Sequence, residues 1–358
     1  MQTTDYRVRL LSAVQDLYSR YGYRPYRMNK FEEYDLYARN KDFLISDSVI
    51  TFTDRSGKLM ALKPDVTLSI VKNTADTASV QKLFYQENVY RVSKGSDSFR
   101  ELLQVGLECL GTIDDYCICE VLLLAAKSLQ LISPTCVLDI SHLGLVTQLL
   151  DAICLPRENH PEVFCLMGEK NIHSLRSVCM ELGMTEENTA LLLELLQLSG
   201  SIQSTLPRLQ ALLARLPALP AFSRFEKLLS ALLETQQADI FHIDFSVVDD
   251  VHYYNGVVFK GFVSGIPASV LSGGQYDRLM KKIGRSSGAI GFALYTDALE
   301  RLWEDPNPYD VQTVLLYPED TSLSVIQCKM AELTAQGQQV LALNSLPEDL
   351  RYQQLIRL

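Results

Sequence analysis

The chain reads as an α+β protein: a mostly antiparallel sheet backed by helices, broken by a helical insertion and closed by a short β-α-β tail. Three observations predict this. Hairpin-like and alternating segments fill residues 1–145 and resume after 238. Between them lies a leucine-rich stretch at helical spacing ("ALLLELLQL", "LPRLQALLARL", "FEKLLSALLE"). A β-α-β pattern follows residue 310. The expected units are 1–145 with 238–305 as one sheet domain, 146–237 as the insertion, and 310–358 as a small α/β tail.

Asp5 is placed to cap a first helix, with Leu10, Val14, Leu17 and Tyr21 on one face and Gly22 as its stop. "SVITFTDRSGKLMALK" predicts a hairpin turning over Asp54 to Lys58. "PDVTLSIVKNTA" predicts a helix with Pro64 in its first turn. "QKLFYQENVYRVS" and "FRELLQVGLECLG" are strands separated by a polar loop, Tyr116 to Gln130 is helical, and "TCVLDI" is a strand. Pro207, Pro217 and Pro220 punctuate the insertion, whose leucine stripe is core. Strands then return at "DIFHIDFSVV", "YYNGVVFKGFV" and "PASVLSGG", followed by a helix over Tyr276 to Ile283. "GAIGFALYTDALERLW" is a strand running into a helix. The tail consists of "VQTVLLYP", a helix and "QVLALN".

The composition excludes several roles. A net charge of −10 over 358 residues argues against a dominant nucleic-acid surface, which needs clustered Lys and Arg. No apolar run reaches the length of a membrane span, and the N-terminus lacks the apolar core of a signal peptide, so a cytoplasmic location is expected. The eight cysteines include no C-x-x-C pair and read as buried, reduced thiols.

The strand "ELLQVGLECLG" is the most informative segment. Side chains alternate faces along a strand. Leu103, Val105, Leu107 and Cys109 make one apolar face, and Gln104, Gly106 and Glu108 make the other. A mid-strand glutamate is costly to bury without a partner, and Gly106 leaves room for something to approach the backbone. Two readings stand: a polar floor for a small cationic or amino-bearing ligand, or a structural pair between Glu108 and an internal Lys or Arg. Read as a strand, "YYNGVV" puts Tyr254, Gly256 and Val258 on one face and Tyr253, Asn255 and Val257 on the other. Just before it, Asp249 and Asp250 suggest acid–base work or a metal site. Neighbouring positions on a strand point apart, however, so Asp249, Asp250, His252 and His242 are not expected to share a metal, and no cofactor is expected.

Taken together, "LKPDVTLSIVKN", "QENVYRVSKGSDSFRELLQVGLECLG", "VHYYNGVVFKGF", "LSGGQYDRLMKKIG" and "GAIGFALYTDALERL" resemble, in order, the catalytic domain of histidyl-tRNA synthetase. The resemblance covers roughly residues 1 to 305 and implies the class II aminoacyl-tRNA synthetase fold, usually dimeric. It implies a histidine pocket. Asp65 and Thr67 stand in the segment that contacts the amino group, Gln104 and Glu108 on the strand that contacts histidine, and Tyr253 and Tyr254 over the imidazole. Arg91 matches a phosphate-binding arginine. Other cations are replaced: Asp249 stands where an arginine acts on the α-phosphate and carboxylate, and Ala298 where an arginine holds the γ-phosphate, with Tyr295 in a glycine's place. An anion in place of a cation near a phosphate reverses an interaction of about 4 kcal/mol at 4 Å and an effective dielectric near 20. Only about fifty residues follow the domain, too few for a full anticodon-binding domain, so no tRNA partner is expected.

This combination resembles the regulatory subunit family of ATP phosphoribosyltransferase. That resemblance implies a non-catalytic chain which assembles with a short catalytic subunit, as a hetero-octamer, for the first step of histidine biosynthesis, and which mediates inhibition by histidine. The alternative is a histidine-adenylating enzyme, which Arg91 favours and Asp249 and Ala298 oppose.

Overall fold

The computed structural model describes residues 3–39, 49–92, 98–248, 253–302 and 309–358. The chain divides into two compact units, Leu11–Glu300 and Met1–Leu10 with Arg301–Leu358.

Helix α1 (Thr3–Arg20) stops at Gly22, whose φ of +81° favours glycine. Its fully buried residues include Val14 and Tyr18. Tyr18, and not Leu17, faces inward, where its hydroxyl bonds to Ser128 Oγ at 2.9 Å. Next come β1 (Arg24–Pro25) and a small antiparallel sheet of β2 (Phe31–Glu33), β3 (Thr51–Thr53) and β4 (Leu59–Leu62), with the short helix α2 (Tyr34–Ala38) after β2. The β3–β4 hairpin closes as expected, Asp54 N–H donating to the Lys58 carbonyl at 2.9 Å. Helix α3 is shorter than expected, Thr67–Asn73, and leaves Pro64 outside it. Asp65 Oδ1 accepts from Leu68 N–H at 2.9 Å beside the helix start, and Lys63, Pro64 and Asp65 form a non-helical lead-in.

Then come β5 (Gln81–Val92), β6 (Phe99–Gly111), α4 (Asp115–Ile132) and β7 (Cys136–His142). The leucine-rich region forms α5 (Leu143–Ala152), α6 (His160–Gly168), α7 (Ile172–Glu181), α8 (Glu186–Gln197), the short strand β8 (Ser199–Ser201), α9 (Ile202–Leu213) and α10 (Pro220–Leu233). Pro207 lies inside α9, and Pro220 opens α10. The chain returns as β9 (Phe241–Asp244), β10 (Val257–Val263), β11 (Leu271–Gln275), α11 (Asp277–Lys282) and β12 (Gly288–Tyr295). The segment after β12 is a 3₁₀ turn, Asp297–Leu302, and not the α-helix its sequence suggests.

A nine-stranded sheet results, in the order β1-β5-β6-β12-β11-β10-β7-β9-β8. It is antiparallel except where β1 joins β5 and β9 joins β7. Helix α4 packs on one face, burying Val121, Leu122, Leu124 and Ala125. The other face carries the site.

The tail is β13 (Val311–Leu316), α12 (Leu323–Ala335), β14 (Val340–Leu343) and β15 (Tyr352–Arg357), three parallel strands in the order β14-β13-β15. The sequence reading has only its first two strands. "YQQLIR" lacks a clean apolar alternation, and only pairing with the central β13 makes it a strand. All eight cysteines are free thiols. Cys109, Cys117, Cys136 and Cys179 are buried as expected, whereas Cys154, Cys165 and Cys328 are exposed. Among the described residues no helix is long and apolar enough to cross a membrane.

Candidate functional site

The polar face of β6 lies at the floor of a cavity of about 220 Å³. Asp65, Thr67, Gln104, Glu108, Tyr253 and Tyr254, the residues expected to bind a ligand, all line it. Long-range pairing brings them together. Strand β6 contributes Gln104 and Glu108, the lead-in to α3 contributes Asp65 and Thr67, and the segment before β10 contributes the tyrosines.

Glu108 is 2% exposed, and hydroxyls meet its oxygens. Thr67 Oγ1 donates to Oε1 at 2.7 Å and Tyr276 Oη donates to Oε2 at 2.5 Å. These neutral donors stand where the structural reading of Glu108 required a Lys or Arg. Burial raises the Glu108 pKa to about 8; the two hydroxyl bonds pull it back, and nearby Asp65 pushes it further up. Asp65 is likewise raised by burial, offset by the Leu68 N–H and by attraction to Arg91. Two buried carboxyls thus face one small cavity, and a ligand cation between them would favour their ionised forms.

The tyrosines are arranged differently from the sequence reading. Strand β10 begins only at Val257, so Tyr253 and Tyr254 sit in the preceding turn. The Gly256 carbonyl accepts from Leu143 N–H in continuation of the β10–β7 register, whereas Asn255 N–H donates to the Gln275 carbonyl, out of the β10–β11 register. A Cβ on Gly256 would meet the end of the Gln275 side chain, which would have to shift to admit one. Freed from strand alternation, both rings reach the cavity, packing edge to face at a centroid separation of 4.7 Å.

The remaining expected positions fall elsewhere. Arg91 is not among the lining residues. Its Nε donates to the Pro64 carbonyl at 3.4 Å, which ties β5 to the Lys63–Asp65 lead-in. Ala298 lies in the 3₁₀ turn and does not line the cavity. Asp249, with Asp250 and His252, lies outside the described residues.

Sequence reasoning misses three contributors, Tyr85, Tyr276 and Lys260, and has Tyr295 only as the occupant of a glycine's place. Tyr85 reaches over Gly106 from β5, and a Cβ at Gly106 would strike its ring. Tyr276 supplies the second hydroxyl to Glu108. Tyr295 Oη pairs with Ser272 Oγ at 2.7 Å. Lys260 is the one basic residue among the described lining residues. The conspicuous local signal is the glycine spacing: Gly106, Gly273 and Gly291 all stand where a Cβ would meet a neighbour's backbone or side chain.

Residues 2–299 match the family model of histidyl-tRNA synthetase. The chain belongs to the histidyl-tRNA synthetase family. Members of this family carry more than one name among the relatives. The ATP phosphoribosyltransferase regulatory subunit of Oceanobacillus iheyensis is 25% identical over 295 residues, covering 81% of this chain and 72% of that one. The histidine–tRNA ligase of Methanocaldococcus jannaschii is 26% identical over 312 residues, covering 85% and 73%. Among solved structures, an ATP phosphoribosyltransferase regulatory subunit/histidyl-tRNA synthetase from Bacillus halodurans superposes with a TM-score of 0.80 at 23% identity, covering 99% of this chain and 94% of that chain. A chain of the ATP phosphoribosyl transferase complex from Thermotoga maritima superposes with a TM-score of 0.62 at 18% identity, covering 80% and 96%. These likenesses establish the class II synthetase fold. Within this family fold the end of the cavity at Asp65 and Glu108 is rich in carboxyls and hydroxyls, while the described lining offers one cation. That suits holding an ammonium group better than holding a triphosphate.

Proposed function

We propose that this chain is the non-catalytic regulatory subunit of an ATP phosphoribosyltransferase. In this reading it is required by a short catalytic subunit for the first step of histidine biosynthesis, and it carries histidine's feedback inhibition. The observation that carries the reading is the cavity itself, with Asp65 and Glu108 buried together and a single basic residue in its described lining, in a family whose relatives include several regulatory subunits. Histidine sits with its α-amino group toward Asp65, Gln104 and Glu108 and its ring near Tyr253 and Tyr254. The chain pairs with itself and assembles with the catalytic subunit as a cytoplasmic hetero-octamer, without tRNA. Inhibition follows if histidine binds one state of the assembly better than another, since a ligand shifts only equilibria in which its affinity differs.

Co-expression with a short phosphoribosyltransferase tests the assembly: a stable complex whose activity falls on adding histidine supports the reading, and absence of any complex overturns it. The retained Arg91 favours a second reading, a histidine-adenylating enzyme. Histidine-dependent ATP–pyrophosphate exchange by the purified chain would establish that reading instead.

A further inference from the structure

Strand β12 both opens the cavity and narrows it. Its cavity face carries Gly291, Ala293 and Tyr295, paired across β6 with Glu108, Gly106 and Gln104. Directly opposed residues share a face. The two small residues therefore leave a hollow, and Tyr295 is the one large side chain that β12 sets beside it. On the other side of β12, Ala293 is paired with Ser272 of β11. Tyr295 Oη meets Ser272 Oγ at 2.7 Å, so the ring leans from its own row toward that of Ala293 and Ser272 and spans from β12 to β11. Tyr85 enters from β5 over Gly106, the partner of Ala293 in the same row. Two tyrosines thus reach across the middle of a floor that is otherwise made of small side chains.

The Tyr295 ring stands between two parts of the lining. Glu108 lies on β6, one strand to one side of β12, and Lys260 lies on β10, beyond Ser272. The whole cavity is about 220 Å³, below the roughly 300–1,000 Å³ of sites that take drug-sized ligands. In the proposed pose the ligand's ammonium occupies the Asp65–Glu108 end and its ring the side at Tyr253 and Tyr254. An extension at its carboxyl group then runs into the Tyr295 ring. We propose that Tyr295, held by Ser272, sets the length of ligand the cavity accepts: a free amino acid fits, and the same amino acid extended through its carboxyl group is refused. This rests on the reading of the cavity as a histidine pocket and adds the boundary that reading leaves open.

The test is calorimetry on the full chain with histidine and the dipeptide histidylglycine, for wild type, Tyr295→Ala and Tyr295→Phe. Wild type should prefer histidine by about tenfold to a hundredfold, the cost of forcing extra atoms against a packed wall. Tyr295→Ala removes the ring and should lose most of that preference, whereas Tyr295→Phe keeps the ring and should retain most of it. The ratio of the two affinities is read within each protein, so a general loss of binding in a variant cancels. Tyr295→Val, a stronger strand former, takes the place of the alanine variant if that does not fold. Equal binding of both compounds by wild type, or an unchanged preference in Tyr295→Ala, overturns the length limit and leaves the histidine pocket standing. A preference lost as completely in Tyr295→Phe as in Tyr295→Ala overturns the ring as the wall. If wild type binds neither compound, the pocket reading fails and the length limit fails with it.

Discussion

Tyr276 Oη donates to Glu108 Oε2 at 2.5 Å, across a sequence separation of 168 residues, and so fixes the orientation of the buried carboxyl at the cavity floor. Thr67 holds the other oxygen, so neither donor brings a full charge to neutralise an ionised Glu108. An acid stabilised in this way is a poor anion when the cavity is empty and a good one when a cation arrives.

Ligand binding should therefore release a proton. Glu108 is protonated below about pH 8 in the empty site, and an ammonium ligand favours its ionised form, so binding is coupled to deprotonation below that pH. Calorimetry at pH 7 in buffers of different ionisation enthalpy should report release of about one proton per site. Glu108→Gln should abolish that release. Its affinity deficit relative to wild type should be larger at pH 8.5 than at pH 6.5, because the wild-type advantage depends on the ionised form.

The same shift has a consequence for stability, with the opposite sign from an ordinary paired carboxylate. The folded-state pKa of Glu108 lies above its ordinary value of 4.5, so the folded chain retains a proton that the unfolded chain releases. Its contribution to stability is full below about pH 4.5 and is lost as the pH rises toward 8. Glu108→Gln removes this loss. The ligand-free variant should gain stability relative to wild type as the pH rises from 6 to 9, measured as the difference in urea midpoint.

How much of this was legible in the sequence depends on range. The polar face of β6 follows from period-two alternation alone, and Gln104 and Glu108 are readable from one segment. The resemblance adds Asp65, Thr67 and the tyrosine pair. Tyr276, Tyr85 and Lys260 are not readable locally, because each lies on a different element and reaches the cavity only through strand pairing. Alternation also misplaces Tyr253 and Tyr254: the strand begins only at Val257, and the Asn255 N–H bond to the Gln275 carbonyl falls outside the β10–β11 register. Helix α3 starts late, with Asp65 Oδ1 accepting from Leu68 N–H beside its start.

The hydroxyl donors should be separable from the fold. Tyr276→Phe keeps the ring, which packs against Tyr253 at a centroid separation of 5.5 Å, and removes only the donor to Glu108. Losing a hydrogen bond to a charged group costs about 1.5–3 kcal/mol, so histidine affinity should fall roughly ten- to a hundredfold. Thr67→Val should act in the same direction. A thermal midpoint close to wild type together with the affinity loss distinguishes this from unfolding.

Gly291 should tolerate no side chain. It pairs with Glu108 across β12 and β6, and a Cβ there would lie on the Glu108 carboxylate and against the Leu107 carbonyl. Gly291→Ala should destabilise the chain by about 1–3 kcal/mol through overpacking and abolish ligand binding by displacing Glu108. Gly288, at the start of the same strand, is the control. There the nearest obstacle to a Cβ is the Asp277 carboxylate, the end of a side chain, so Gly288→Ala should leave binding intact. Denaturant unfolding and calorimetry on both variants check the contrast.

The lead-in that carries Asp65 is anchored by a buried ion pair. Lys63 is 1% exposed and its Nζ bonds to Glu87, while the Lys63 carbonyl accepts from Tyr90 N–H at 2.9 Å. Glu87 also accepts from Met28 N–H at 3.3 Å, so one carboxylate joins β5 to two separate segments. Breaking a buried pair from one side leaves an uncompensated charge and costs about 3–5 kcal/mol; Glu87 keeps some contact with solvent, so Lys63→Met should fall at the lower end of that range. Replacing both groups, Lys63→Met with Glu87→Leu, removes the orphaned charge and should recover most of the loss. A double-mutant cycle by urea unfolding measures the coupling. Histidine titration of the double variant then reads whether the pair also positions Asp65: recovery of stability with affinity still reduced assigns it that positioning role, and recovery of both confines it to the fold.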